Sequence, residues 1–326
     1  MTRSPRRVSV IVPTYNRAPL LRQALASIRR LEGDAFTFEI LVGDNGCSDA
    51  TRTVCDEFGA EYIPVTRHGA GAARNAALRA ATGDYLAFLD DDDVWLPTHL
   101  SAHFALLDAR PEVDAVIGQV IYATHDLATL SAPFPDPPPH EGEPLLKAML
   151  SGFFPQIGTT IARARVREKF GEFDEELIGG QDLDWLLRIA RNRSLAFAVT
   201  PCLWFRARPY GTYDALQLKR VKFDRTVFLR HAVPEWRIWH SPFAFLKAYT
   251  GTLRHFFDYF VDAAAHRAGS GDRRGSTRAL IGAFSVFPLR TLYYVIAPKP
   301  LRAAVLSIVF ARRGAVFPIE AQRDGD

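Results

Sequence analysis

Residues 71–97 read GAARNAALRAATGDYLAFLDDDDVWLP, and the order of residue types in this stretch decides the fold. Gly71 to Ala81 is rich in alanine, as suits a helix packed closely on its neighbour. Tyr85 to Leu89 is a short apolar run of the kind that forms a buried strand. Asp90, Asp91, Asp92 and Asp93 follow at once, then Trp95 and Pro97. Four consecutive carboxylates after a buried strand repel one another unless a cation holds them, because a desolvated charge needs a partner. Hard cations such as Mg2+ or Mn2+ take oxygen ligands and leave positions for water and phosphate oxygens. For an isolated acidic pair the plainer alternative is a solvated turn or a helix N-cap. The length of this run and its place at a strand end favour the metal.

Upstream, the chain alternates in the same way. Val8 to Val12 is apolar, and Leu21, Ala24, Leu25, Ile28 and Leu31 then recur with the period of a helix buried on one face. Phe38 to Val42 predicts a second strand, Ser48 caps a helix through Phe58, and Tyr62 to Val65 predicts a third strand. Strands alternating with helices predict an α/β fold with a mostly parallel sheet covered on both faces, whose ligands bind at the strand carboxyl ends. Polar clusters stand at those ends: Pro13-Thr14-Tyr15-Asn16, Gly43-Asp44-Asn45-Gly46 and the four aspartates.

Composition narrows the class. The chain has 326 residues, 48% of them hydrophobic, enough for one large domain or a domain with an appendage. Its 3 cysteines, Cys47, Cys55 and Cys202, include no CxxC pair, which points away from a disulfide framework or a zinc site and toward a reducing compartment. The basic start is followed by an apolar run that stops after Val12, too short for a secretory core, so a cytoplasmic location is expected. The net charge of +4 is uneven. Residues 264–319 hold Arg267, Arg273, Arg274, Arg278, Arg290, Lys299, Arg302, Arg312 and Arg313 against the single acid Asp272, a net +8, leaving −4 for the rest. Such a tail suits an anionic surface, membrane or nucleic acid; no zinc-finger, RNP or helix-turn-helix pattern accompanies it, so the membrane is preferred.

VSVIVPTYNR, EILVGDNGCSDAT, GAARNAALRAATGDYLAFLDDDDVWLP, GEFDEEL and QDLDWLLRIA occur in this order. Together they resemble the successive motifs of glycosyltransferase family 2, inverting enzymes of the GT-A fold, over about the first 210 residues. The resemblance implies a transferase that moves a sugar from a UDP-, GDP- or dTDP-linked donor to a glycan or lipid-linked acceptor, in polysaccharide or glycolipid synthesis. It implies a catalytic domain over 1–235, with a donor half to about 125 and an acceptor half from 126, and a helical extension over 236–326. By position, Asp90 and Asp92 match the DxD pair that holds Mg2+ or Mn2+, with Asp92 the direct ligand and Asp91 near the donor ribose or sugar. Pro13, Thr14, Tyr15, Asn16, Asp44 and Asn45 fall at donor-binding positions. Two departures stand out: Asn45 replaces a common second acid and leaves the donor base open, and Gln181 replaces a common glutamate before Asp182.

The chemistry agrees. Displacing a nucleoside diphosphate needs a cation near the leaving group, and Arg74 is placed for it, or else simply neutralises the acids. Inversion needs a base for the acceptor hydroxyl. Asp182 is the candidate, compatible with a second role as a helix cap, while Asp184 is expected to be solvated. Gln181, Trp185, Arg206 and Arg208 are candidate diphosphate or acceptor contacts, the two arginines alternatively plain surface charge. Ser131 to Pro144, with six prolines, reads as an irregular loop, a lid or an acceptor contact. Beyond 236, aromatic and basic residues interleave at helical spacing, and no run reaches the roughly 20 uninterrupted apolar residues of a spanning helix. These segments read as interfacial helices on the inner face of a membrane, or as a helical cap on the core. Two rival functions remain. A dinucleotide-dependent oxidoreductase would use Gly69-Ala70-Gly71-Ala72-Ala73-Arg74, although Arg replaces the third glycine and the motif does not follow the first strand. An inactive membrane-bound scaffold is the other, against which Asp90, Asp92 and Asp182 argue.

Overall fold

The computed structural model describes residues 4–46, 50–140, 142–207, 214–236 and 241–297. Strand and helix alternate as β1 (Arg6–Thr14), α1 (Ala18–Arg29), β2 (Phe36–Asp44), α2 (Thr51–Glu57), β3 (Glu61–Pro64), α3 (Ala70–Ala80) and β4 (Tyr85–Phe88). β1 is buried on both faces because Ile11 points to one core while Val8, Val10 and Val12 point to the other, the two-residue period of a pleated strand. Helices α1 and α2 cover the valine face, and α3 covers the Ile11 face. The approach of α3 is very close: a Cβ on Gly43 of β2 would lie 2.2 Å from the carbonyl oxygen of Ala73. Only glycine lets the helix settle there, and the contact fixes Arg74 over the strand ends.

The second half adds β5 (Val94–Trp95), α4 (His99–Ala109), β6 (Ala115–Ala123), α5 (Glu143–Leu150), β7 (Ile161–Arg163), α6 (Val166–Phe170), α7 (Gln181–Arg191) and β8 (Leu195–Arg206). The sheet order is β3-β2-β1-β4-β7-β6-β8-β5. β1 to β4 are parallel neighbours, and β6 is parallel to β8; β7 runs antiparallel between β4 and β6, and β5 antiparallel to β8. This is the helix-flanked, mostly parallel α/β sheet expected. Register puts the polar clusters together. Thr14 pairs with Asp44, and Ile11 with Phe88, so residues three past each of the latter two, Thr14 and Asp91, meet at the same edge.

Four helices follow: α8 (Asp214–Trp236), α9 (Pro242–Gly269), α10 (Arg273–Val286) and α11 (Pro288–Ile296). Val227 and Phe228 of α8 join the main core, whereas Val221 joins a separate cluster with Leu253, Phe256, Phe257 and Phe260 of α9 and Ala279, Ala283 and Val286 of α10. These aromatic residues, expected at a membrane interface, are instead buried between helices. Among the described residues, the exposed large apolar side chains of these helices are Leu218, Leu229 and Val233 on α8, Phe243 and Leu246 on α9, Ile281 and Phe284 on α10, and Leu289, Leu292, Tyr293 and Ile296 on α11. Among the described residues, no helix is long and apolar enough to cross a membrane. Leu301–Phe310 and the Ser48 cap lie outside the described residues. The proline loop returns to the sheet through Phe134, which exchanges backbone hydrogen bonds with Val120. A cavity of about 790 Å³ opens between it, Phe153 and Phe197.

Candidate active site

The three strand ends enclose a cavity of about 390 Å³ lined by Pro13, Thr14, Tyr15, Arg17, Asn45, His68, Gly69, Ala70, Arg74, Asp90, Asp91 and Asp92. Eight of the expected site residues therefore share one space. Asp90 to Asp93 form a turn closed by the Asp93 N–H on the Asp90 carbonyl. Thr14 Oγ1 donates to Asp91 Oδ2 at 2.7 Å, and Arg17 Nη1 donates to Asp91 Oδ1 and to Asp92 Oδ2, both at 3.0 Å. Arg74 Nη2 donates to Asp90 Oδ1 at 2.5 Å. Arg17 and Arg74 thus pair with the acidic run from two sides. Burial still pushes the Asp91 carboxyl up to about 6, against the pull of Arg17 and with the push of Asp92 and Asp90.

Arg74 is buried, not a surface charge. Its burial opposes ionisation, but the charges of Asp90 and Asp182 outweigh it and hold the guanidinium above its ordinary value, while Asp182 itself is not among the residues that line the cavity. Nε and Nη1 of Arg74 have no hydrogen-bond partner among the described residues. Asn45 spends its Oδ1 on the Gly69 N–H at 2.5 Å, tying the β2 end to the start of α3. Asp44 is buried at the foot of the same strand end, and Asn16 turns the β1 end with a φ of 53°.

Arg206, expected either on the diphosphate or on the surface, is buried beneath the acidic turn. It donates from Nη1 to the Asp92 carbonyl at 2.7 Å, from Nε to the His125 carbonyl at 2.9 Å and from its backbone N–H to Asp93 Oδ1 at 3.0 Å. It braces the turn from behind because β5 carries the chain from Asp93 straight to β8, whose last residue is Arg206. Arg208 lies outside the described residues.

Helix α7 begins at Gln181, behind Gly180 in the left-handed region, so Asp182 is its second residue, not its cap. Asp182 Oδ1 accepts the Leu183 N–H at 2.9 Å. Gln181 packs its Cγ toward Gly71 at the start of α3, and its buried Oε1 has no partner among the described residues. Trp185, a candidate acceptor contact, is instead fully buried, donating to the Gly171 carbonyl at 3.0 Å and packing on Phe88 and Phe173. Asp184 is not solvated. It is 1% exposed and accepts from Arg188 Nε at 3.1 Å, Arg230 Nη1 at 2.9 Å and His231 Nε2 at 3.0 Å. The opposite faces of one helix turn thus give two neighbouring aspartates different surroundings.

Asp90 and Asp92 offer an all-oxygen edge to the cavity, the donor set of a hard divalent cation, and so fit Mg2+ or Mn2+. A second group of metal-ligand types, His99, His103 and Cys202, is buried behind β5. The ring nitrogens of His103 sit 2.6 Å and 2.7 Å from the His99 and Thr159 carbonyl oxygens, one of which takes the N–H of the neutral ring, and burial depresses both histidines. The sequence reading passed over Arg17, the residue that ends the PTYNR motif. A cation four residues past the first strand's proline was the available signal.

Residues 9–150 match the family described as glycosyl transferase family 2. Glycosyltransferase AglE of Haloferax volcanii is 28% identical over 215 residues, 63% of this chain and 68% of that protein. UDP-Glc:alpha-D-GlcNAc-diphosphoundecaprenol beta-1,3-glucosyltransferase WfgD of Escherichia coli is 35% identical over 104 residues, 31% of this chain and only 40% of that protein. Among solved structures, the mannosyltransferase PcManGT of Pyrobaculum calidifontis, in complex with GDP-Man and Mn2+, superposes with a TM-score of 0.53 at 23% identity, covering 95% of this chain and 88% of that one. S. aureus TarS 1-349 does so with a TM-score of 0.53 at 18% identity, covering 93% and 90%. These structures share the fold, and their identities carry no more than that. With its sheet and its strand-end cavity, this chain has the GT-A fold of the structures it superposes on, and over residues 9–150 it is similar to glycosyltransferase family 2.

Proposed function

We propose that the chain is an inverting, divalent-metal-dependent glycosyltransferase that moves a sugar from a nucleoside-diphosphate donor onto an acceptor hydroxyl, with Asp182 as the general base. The observation that carries this reading is the joining of Asp90, Asp91, Asp92 and Arg74 in one cavity, with the charge of Asp182 felt by Arg74 at its edge. Tyr15, 55% exposed, offers its ring to the donor base, and Asn45 leaves its amide N–H2 for that base after Oδ1 is spent on Gly69. Asp92 and Asp90 would hold the cation, whose chemistry there is to stabilise charge gathering on the diphosphate. Arg74, on the wall of the same cavity, adds its positive charge to that of the cation. Asp182 takes the acceptor proton as the acceptor oxygen bonds to the sugar's anomeric carbon, and the bond to the diphosphate oxygen breaks with its electron pair leaving on the diphosphate.

The acceptor is proposed to be lipid-linked, in polysaccharide or glycolipid synthesis on the inner face of a membrane. Two observations support it. The tail carries net +8, and Leu289, Leu292, Tyr293 and Ile296 line one exposed face of α11 beside Ile281 and Phe284 of α10. The name of WfgD also specifies a diphosphoundecaprenol-linked acceptor for that relative. The deciding experiment is Asp182→Asn, assayed for donor binding and for transfer. Donor affinity should stay near wild type while transfer falls by roughly a hundredfold or more. Transfer at the wild-type rate would assign the base elsewhere.

A further inference from the structure

A second carboxyl group reaches the start of α7 and has no part in the chemistry described so far. Asp224 on α8 is 2% exposed, and its Oδ1 lies against Gly180: a Cβ on that glycine would be 2.6 Å from it. Gly180 has a φ of 70°, so this position excludes a side chain on two grounds. One turn earlier on α8, the Cγ of Arg220 would be 2.6 Å from a Cβ on Gly179. The glycine pair therefore lets α8 close onto the two residues that lead into Gln181 and Asp182. Among the described residues, Asp224 Oδ1 has no hydrogen-bond partner, and neither does Gln181 Oε1 on the same turn. A buried, unpartnered carboxyl oxygen is costly to keep and needs a reason.

We propose that Asp224 is a positioning residue for the general base: sealed behind Gly180, its carboxyl sets the charge around Asp182 and so how strongly Asp182 takes the acceptor's proton. This rests on the reading of Asp182 as the base. The groups that bear on Asp224 come from each element packed there. Asp182 stands on α7 and Arg220 on its own helix; the charge of Arg220 also acts on His255 of α9, and that of Asp182 on Arg74 of α3. Burial pushes the Asp224 carboxyl up to about 7; Arg220 pulls it down and Asp182 adds to the rise. While Asp224 holds its proton, it adds no charge at the start of α7. When Asp224 loses it, a second negative charge stands at the start of α7 beside the proposed base, and a like charge nearby strengthens a carboxylate's hold on a proton.

The test compares wild type, Asp224→Asn and Asp182→Asn. Carboxyl 13C NMR of the donor-free protein should show a group titrating near neutrality in wild type. It should be absent in Asp224→Asn and shifted to lower pH in Asp182→Asn, where the neighbouring charge is gone. The rate of nucleoside-diphosphate release from a UDP-, GDP- or dTDP-sugar that stabilises the Mn2+-loaded protein is then followed from pH 6 to pH 8. Wild type should climb through this range; Asp224→Asn should match it within about twofold at pH 6 and fall about three- to tenfold behind at pH 8, with donor affinity unchanged. A merely structural Asp224 would lower the rate equally at every pH. That result, or an Asp224 resonance indifferent to Asp182→Asn, overturns the proposal. Full transfer by Asp182→Asn overturns the base assignment separately, whatever Asp224 does.

Discussion

Asp184→Asn separates a structural acid from the proposed catalytic one two residues away. Asp184 gathers Arg188, Arg230 and His231 around a carboxylate that is 1% exposed. Burial works to raise this carboxyl, and the bond from His231 with the charges of Arg188 and Arg230 overcomes it and holds the group below its ordinary value. Removing one member of a buried ion pair costs about 3–5 kcal/mol, because the charges left behind are uncompensated. Here the side chains of Arg188 and Arg230 are 28% and 43% exposed and can be rehydrated, which brings the expected loss to about 2–3 kcal/mol. Urea denaturation followed by tryptophan fluorescence measures it. The sign with pH follows from the depressed carboxyl. Its contribution is fully present above the unfolded aspartate value of about 3.9 and is lost as pH falls through the lower folded value. The gap between wild type and variant should therefore be flat from pH 5 to 8 and close only in stronger acid. A loss under about 0.5 kcal/mol at pH 7, or a gap that closes near neutrality, would refute the triple pairing as a stabilising centre. Donor affinity of the folded variant should not change, since Asp184 is not on the cavity wall.

Asp92→Asn should abolish Mn2+-dependent donor stabilisation in a thermal-shift assay and cut transfer roughly a hundredfold or more, and undiminished turnover in EDTA would count against any metal at this edge. Wild type should float with phosphatidylglycerol-containing vesicles, and Leu289→Glu with Ile296→Glu should abolish that binding; equal binding to neutral vesicles would remove the electrostatic part, and none to either would leave the extension a cap.

What was legible in the sequence follows from range. Val8 to Val12 and Tyr85 to Leu89 read as strands because a chain buried on both faces shows it locally, and the motif ends fell together because parallel strands share an edge. β5 and β7, at 2 and 3 residues, have no period to read and exist only through their partners. Arg17 and Arg206 carry the same lesson in side chains. Arg17 drew no reading and Arg206 read as a charge after an apolar run, and each makes contacts 74 to 114 residues away in the chain. Helical spacing marked an apolar face on α9 but could not say whether lipid or protein covers it. Phe256, Phe257 and Phe260 turned out to meet α8 and α10. The same limit applied at α7. Its sequence placed Asp182 and Asp184 near the helix start alike, and only α7 and α8, through Arg188, Arg230 and His231, tie up Asp184 with three donors, a contact pattern that no local spacing announces.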